Sequence, residues 1–417
     1  MCQQHSQNRD RKDNAQHAQG AQEAFPWELG VYDAHCHPTD TPASVSKISS
    51  MKARVLTIMA TREQDQDLVA GTCVEYGVKN PELLKSGEGG ETQRIVPAFG
   101  WHPWFSHQIY DDTTAAPSYD GTPEGKRAHY DAVLQPKPSS KDPAFSDGLP
   151  EPRALSALLE ETRARLREHP YALVGEVGVD KAFRVPENWT ADQEASRNQN
   201  LTPGSREGRL LSPHRVSMTH QTAILQAQLR LAGELGRAAH GALYEALAQT
   251  WKGHKKEVLS RREKNQIAMN AENFSSSDES EDDDAEVVSK AKAPAKSSTG
   301  HKITPMPFPP RICLHSYSGS VDFLKQYLHP SVPAKIFCSF SIVINWGQAG
   351  GGDKAEDVIR ALPDNRILVE SDLDAAGKDM DSDLEEVARK ICEIKGWNLR
   401  QGVAQLAQNW HEFIFDD

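Results

Sequence analysis

The sequence predicts an α/β fold, a TIM-type (β/α)8 barrel, on three observations. Short apolar runs with strand character alternate with amphipathic helical stretches, the order of a parallel sheet wrapped by helices. The strand-like runs end repeatedly in His, Glu or Asp, and a barrel of this kind carries its chemistry at the C-terminal ends of its strands. The length is 417 residues with 38% hydrophobic content, enough for one barrel of ~250 residues with room for polar insertions.

The elements follow in order. V-Y-D-A-H-C (31–36), V-L-T-I-M-A (55–60) and I-V-P-A-F-G (95–100) read as strands. Residues 154–168 read as a helix, with Leu155, Leu158, Leu159, Thr162 and Leu166 on one face and Pro170 beyond its end. A-L-V-G-E-V (172–177) is the fourth strand. A helix over 219–235 places Ile224, Leu225, Leu229, Ala232 and Leu235 together, and 242–251 is helical. I-C-L-H (312–315) and K-I-F-C-S-F (335–340) are strands flanking a helix at 320–328, and I-L-V-E-S (367–371) is the last strand. Helices at 384–395 and 399–413 close the chain. That makes seven strands. The eighth belongs between helices 219–235 and 242–251, but only Gly236-Arg237-Ala238-Ala239-His240-Gly241 separates them. Nothing there is β-branched, so the expectation is either a barrel lacking one strand near 236–242 or a sequence from which that segment has been lost.

Composition narrows the class. Lys+Arg number 47 and Asp+Glu 59, a formal charge of −12. Eight acidic residues fall between Glu272 and Glu286, and without them −4 remains. Such a balance neither demands nor excludes a nucleic-acid substrate. No stretch approaches the ~20 apolar residues of a membrane span, and no basic-then-apolar leader opens the chain. The six cysteines (2, 36, 73, 313, 338, 392) include no C-x-x-C pair. A thiolate zinc site and a disulfide scaffold are therefore not expected, and a reducing compartment, cytosol or nucleus, fits.

Residues 1–25 read as a disordered tail, and His5 and His17 in it as solvated. Residues 26–417 read as a single barrel with insertions at 108–150, 182–215 and 252–310. The last is charged and expected to be disordered: Lys252–Lys264 is basic, and 275–284 is S-S-S-D-E-S-E-D-D-D. Its serines precede acidic residues, which suits acid-directed phosphorylation.

The strand ends carry the chemistry. D-A-H-C-H places His35 and His37 two apart, and a period of two sends both imidazoles to one face. G-W-H-P-W brings His102 to the rim. G-E-V-G-V-D carries Glu176 between glycines, L-H-S-Y-S-G carries His315, and V-E-S-D carries Asp372. Three His and two carboxylates at strand termini describe a one- or two-metal hydrolytic centre, with Asp372 orienting or deprotonating a metal-bound water. Glu370 reads as a structural neighbour of Asp372, and Asp33 as a buttress for a ligand His. Cys36 should face the other way and pack in the core. G-Q-A-G-G-G (347–352) lacks the Lys-Ser/Thr of a phosphate loop and reads as a flexible turn. Ser316 and Ser318 lie in no G-x-S-x-G elbow, which argues against a serine hydrolase. No basic, aromatic-laced groove is evident, so substrate recognition is assigned to the metals and the rim residues His102, Trp101 and Trp104.

Taken together with a late N-W-H-E-F (409–413), these motifs stand in the order seen in the TatD family of metal-dependent deoxyribonucleases, amidohydrolase-like TIM barrels, which the chain resembles over roughly 30–106, 170–250 and 310–415. The resemblance implies DNA as substrate and one or two divalent ions (Mg, Zn or Mn). It implies that His35 and His37 bind the first metal, that Glu176 bridges two, that His315 is a ligand, and that Asp372 is both ligand and catalytic carboxylate, with Glu176 also in the catalytic set. The family carries a further ligand His on the strand expected to be missing here. His240 matches a later, non-ligand position, so it receives no role. The large insertions resemble those of a fungal TatD-related branch described as partners of an anaphase-promoting-complex subunit. That implies an alternative, a catalytically impaired barrel acting as an interaction protein.

Overall fold

A computed structural model describes residues 23–86, 92–139, 141, 143–241, 244–256, 305–347 and 350–416. The expected tail at 1–25 and the charged part of the insertion at 252–310 lie almost wholly outside the described residues. So do 348–349 of the glycine-rich turn, while Gly351 already opens a helix.

Among the described residues, eight parallel strands form one sheet: β1 (Tyr32–Cys36), β2 (Val55–Met59), β3 (Ile95–Phe99), β4 (Leu173–Val174), β5 (Ala239–His240), β6 (Arg311–Leu314), β7 (Lys335–Phe340) and β8 (Ile367–Val369). They pair in chain order. Beyond β8 the chain returns to β1: the Asp372 N–H donates to the His35 carbonyl at 3.0 Å, and the His37 N–H to the Leu373 carbonyl at 2.8 Å. β1, β2 and β3 are buried along their whole length, as expected of strands covered on both faces.

The gap expected near 236–242 is filled, and this corrects the sequence reading. Ala239 pairs with Val174 of β4 and Ile312 of β6, and His240 pairs with Cys313. Two residues suffice because glycines let the neighbours close in. A Cβ on Gly175 would lie 2.7 Å from the His240 Cβ. Gly241 turns the chain at φ +81°, where a Cβ would meet the Val177 carbonyl oxygen at 2.1 Å. Backbone contact and small side chains make this strand, so β-branched residues are not needed.

Helices pack outside: α1 (Glu63–Tyr76), α2 (Leu155–Glu168), α3 (Met218–Glu234), α4 (Tyr244–Thr250), α5 (Val321–Tyr327), α6 (Gly351–Ala361), α7 (Lys378–Lys395) and α8 (Leu399–Phe415). The hydrophobic pattern does not reveal α1, because its inner face is partly polar. Asp65 accepts the Thr61 and Arg62 N–H groups, and Gln66 donates to the Gly100 carbonyl at 2.8 Å. α8 closes the N-terminal end of the barrel. Trp410 stacks on Tyr32 at 4.4 Å and donates to Thr57 Oγ1 at 3.2 Å, while Asn409 donates to the Asp364 and Ile367 carbonyls. The C-terminal end is thereby left for chemistry.

The stretch 108–150 shows no periodicity, yet it carries a helix at Pro123–Val133. Tyr130 of that helix is fully buried in a cluster with Val133, Leu134, Leu149, Val185 and Val216. Leu134-Gln135 pairs antiparallel with Arg215-Val216, joining this stretch to 182–215.

Candidate metal centre

Each predicted site residue stands at the C-terminal end of its strand, and five converge. His35 Nε2 lies 3.0 Å from His37 Nε2, 3.5 Å from Glu176 Oε2 and 3.6 Å from Asp372 Oδ1. His37 Nε2 lies 3.7 Å from Glu176 Oε2 and 3.5 Å from Asp372 Oδ1. His315 Nε2 stands 2.8 Å from Glu176 Oε1, and its ring stacks on His35 at 4.2 Å. His102 Nε2 reaches Glu176 Oε1 at 3.3 Å, so Glu176 sits at the middle of the set.

The local chain explains the aim. β1 holds one extra residue against β2 between Asp33 and Cys36, and a bulge of this kind redirects the side chains beyond it. Asp33 braces His35 as expected, through the backbone of that residue. It accepts the backbone N–H groups of His35 and Ser371 and the Ser371 hydroxyl, tying β1 to the end of β8. Cys36 is buried and donates to the Thr57 carbonyl, facing away from the centre. Asp372 has φ +55° and Ser316, just after His315, φ +42°. Non-glycine residues rarely hold this conformation, and where they do the surroundings enforce it.

The electrostatics are those of a buried cluster. Burial pulls the His35 imidazole down to about 4, and the charge of His315 adds to it. Burial also opposes charge on His37 and His315, but carboxylates outweigh it: Asp372 and Glu176 hold His37 up to about 9, and Glu176 and Glu370 hold His315 up to about 10. Burial would raise Glu176, yet His102, His315 and His35 keep it well below the ordinary carboxylate range. The donor sets His35–His37–Asp372 and His35–His315–Glu370 are each compact enough to hold a metal ion.

Glu370 does more than stand beside Asp372. It is fully buried and accepts the Ser316 N–H at 2.8 Å and the Ser316 hydroxyl. Its Oε2 and the His315 Nδ1 have no hydrogen-bond partner among the described residues. Glu370 also belongs, with His35 and His315, to one of the two donor sets compact enough for a metal ion. Sequence reasoning also missed His240, which is fully buried with its Nδ1 3.3 Å from His35 Nδ1. Its place on a strand was the signal, and that strand was not expected. Trp101 is no rim residue either. It is 1% exposed and donates to the Phe105 carbonyl at 2.8 Å, whereas Trp104 remains half-buried at the mouth.

Residues 32–241 and 278–414 match the TatD related DNase family. The chain is 30% identical over 395 residues to the Cut9-interacting protein scn1 of Schizosaccharomyces pombe, covering 92% of this chain and 98% of that protein. It is 27% identical over 355 residues to an uncharacterized deoxyribonuclease of Saccharomyces cerevisiae, covering 82% and 83%. A solved TatD homolog from Escherichia coli is 16% identical, with TM-score 0.44, over 94% of this chain and 99% of that one. On the extent of the family match and the likeness to the fission-yeast protein, this chain belongs to the TatD related DNase family.

Proposed function

We propose that this chain is a metal-dependent hydrolase that cleaves phosphodiester bonds in DNA, with His35, His37, Glu176, His315 and Asp372 holding one or two divalent cations. The observation that carries the reading is the convergence of His35, His37, Glu176 and Asp372 through contacts of 3.0–3.7 Å, with His315 2.8 Å from Glu176. Two carboxylates and three imidazoles converging this closely supply the oxygen and nitrogen donors that a divalent cation takes up. The imidazoles favour zinc or manganese, and the carboxylates with a phosphate substrate admit magnesium. The metal dependence of the TatD family supports the assignment.

When bound, a divalent cation supplies a water of lowered pKa and neutralises charge on the phosphoryl oxygens. Asp372 would be placed to orient that water and to accept its proton on a carboxylate oxygen. Glu176 lies between the His35/His37 pair and His315 and holds the two halves of the donor set together. His102, 3.3 Å from Glu176 and part exposed at the rim, contacts the diester. DNA cleavage with added Mg²⁺, Mn²⁺ or Zn²⁺, lost when His35→Ala and Asp372→Ala are combined, is the expected result. Absence of cleavage, with no metal found by elemental analysis, overturns it.

The relative named for its interaction with Cut9 favours a second reading, in which the barrel serves as a protein partner in the anaphase-promoting-complex setting that the sequence resemblance implies. A doubly substituted His35→Ala/Asp372→Ala protein should then still capture a Cut9-like protein from its native host as well as the parent does. Loss of capture by the parent itself would end that reading. Both roles fit the cytosol or nucleus, and the five described cysteines, all buried and unpaired, support a reducing compartment.

A further inference from the structure

The two insertions that pair through Leu134-Gln135 and Arg215-Val216 enclose a cleft of about 550 Å³ lined by Gln135, Lys181, Arg184, Arg215 and Met218, among others. Lys181, Arg184 and Arg215 are exposed, and no carboxylate lies within ion-pair distance of them among the described residues. In a chain of net charge −12, three unpaired cations in one cleft are a concentrated positive field. The nearby acid, Asp180, is already engaged. It accepts the Trp104 indole N–H at 2.8 Å and the Ala182 and Phe183 N–H groups at 2.7 and 3.0 Å.

A relay of side-chain contacts runs from the segment carrying Lys181 and Arg184 to the metal centre. Phe183, between Lys181 and Arg184 in the chain, stacks on Trp104 at 4.9 Å with ring planes 8° apart. Trp104 meets His102 edge-on at 4.9 Å, and His102 reaches Glu176. Both insertions follow the C-terminal ends of β3 and β4, the strand ends from which the chemistry is carried.

We propose that Lys181, Arg184 and Arg215 dock the phosphate backbone of a single nucleic-acid strand, and that the half-buried Trp104–Phe183 stack leads it to the metal centre. The proposal rests on the hydrolase reading and supplies its substrate path. A strand places phosphates along a run of cations and bases against aromatic rings. A single strand fits better than a duplex because the centre is recessed: Glu176 is 7% and Asp372 6% exposed, so the scissile diester must enter the barrel mouth alone.

The test is the fluorescence anisotropy of a labelled oligothymidylate with the full-length protein in EDTA, which separates binding from cleavage. The triple variant Lys181→Glu/Arg184→Glu/Arg215→Glu should bind at least ~10-fold more weakly, and the slope of log K against log salt should shrink by about 2, as expected for three lost phosphate contacts on a single strand. Neutral Gln substitutions at the same positions should fall between, and circular dichroism should match the parent in both. Parental affinity and salt slope in the triple variant would overturn the proposal, as would equal binding of a duplex. A parent that cleaves no phosphodiester, yet loses strand binding on charge reversal, would end the hydrolase reading and leave the cleft standing.

Discussion

The Nδ1 atoms of His35 and His240 lie 3.3 Å apart inside the barrel, both side chains fully buried. His35 turns its other nitrogen to His37, Glu176 and Asp372. A metal-facing imidazole is commonly held through its second ring nitrogen, which fixes ring orientation and tautomer. In this chain the two-residue strand β5 brings His240 to that position.

His240→Ala should therefore weaken metal binding about 10–100-fold while leaving the centre's own donors in place. Calorimetric titration of the metal-free protein with Zn²⁺ or Mn²⁺ checks this, and far-ultraviolet circular dichroism checks that the fold survives. Unchanged affinity would reduce His240 to a packing residue.

Asp372→Asn keeps size and shape but removes the group assigned to take the water's proton. Hydrolysis should drop ~10²–10⁴-fold, the usual contribution of a positioned general base. A variant that retains bound metal by elemental analysis and loses turnover separates this role from ligation alone.

Gly241→Ala tests the tight β4–β5 approach. The new Cβ would fall 2.1 Å from the Val177 carbonyl oxygen, at φ +81°. The backbone conformation alone costs about 1–3 kcal/mol for a residue with a side chain, and the clash adds to it. The melting temperature should fall by several degrees, whereas Gly71→Ala, where nothing lies within 4 Å of the added carbon, should leave it unchanged or raised.

Acid should destabilise the segment held together by His107 and His129. Burial drives the His107 imidazole down to about 3 and that of His129 to about 4, from an ordinary 6.5. His129 Nε2 lies 2.8 Å from the His107 carbonyl and its Nδ1 2.8 Å from Ser118 Oγ. Groups lowered on folding contribute stability that is complete above pH ~6.5 and is lost as the pH falls towards 4. At pH 5 the loss is up to about 2 kcal/mol for each histidine. Thermal melts at pH 7.5 and 5.0 should show this drop, and His129→Gln should remove part of the difference.

What the sequence determined by itself was the barrel's rhythm and the identity of its polar strand ends. Apolar runs of strand length, the Leu face of α2 and the late N-W-H-E-F are local signals. A His or Glu at a strand end is equally local, so His35, His37, Glu176, His315 and Asp372 were legible before any fold was known. The tertiary structure decided what depends on backbone approach and on the meeting of distant segments. β5 exists because Gly175 and Gly241 admit neighbouring strands, so it has no hydrophobic signature. α1 hides because its buried face uses Asp65 and Gln66 for hydrogen bonds. Lys181, Arg184 and Arg215 are dispersed among polar residues in the chain and become one cleft only when two insertions pair. Periodicity records which face of an element is buried; it carries no record of which other element will arrive there.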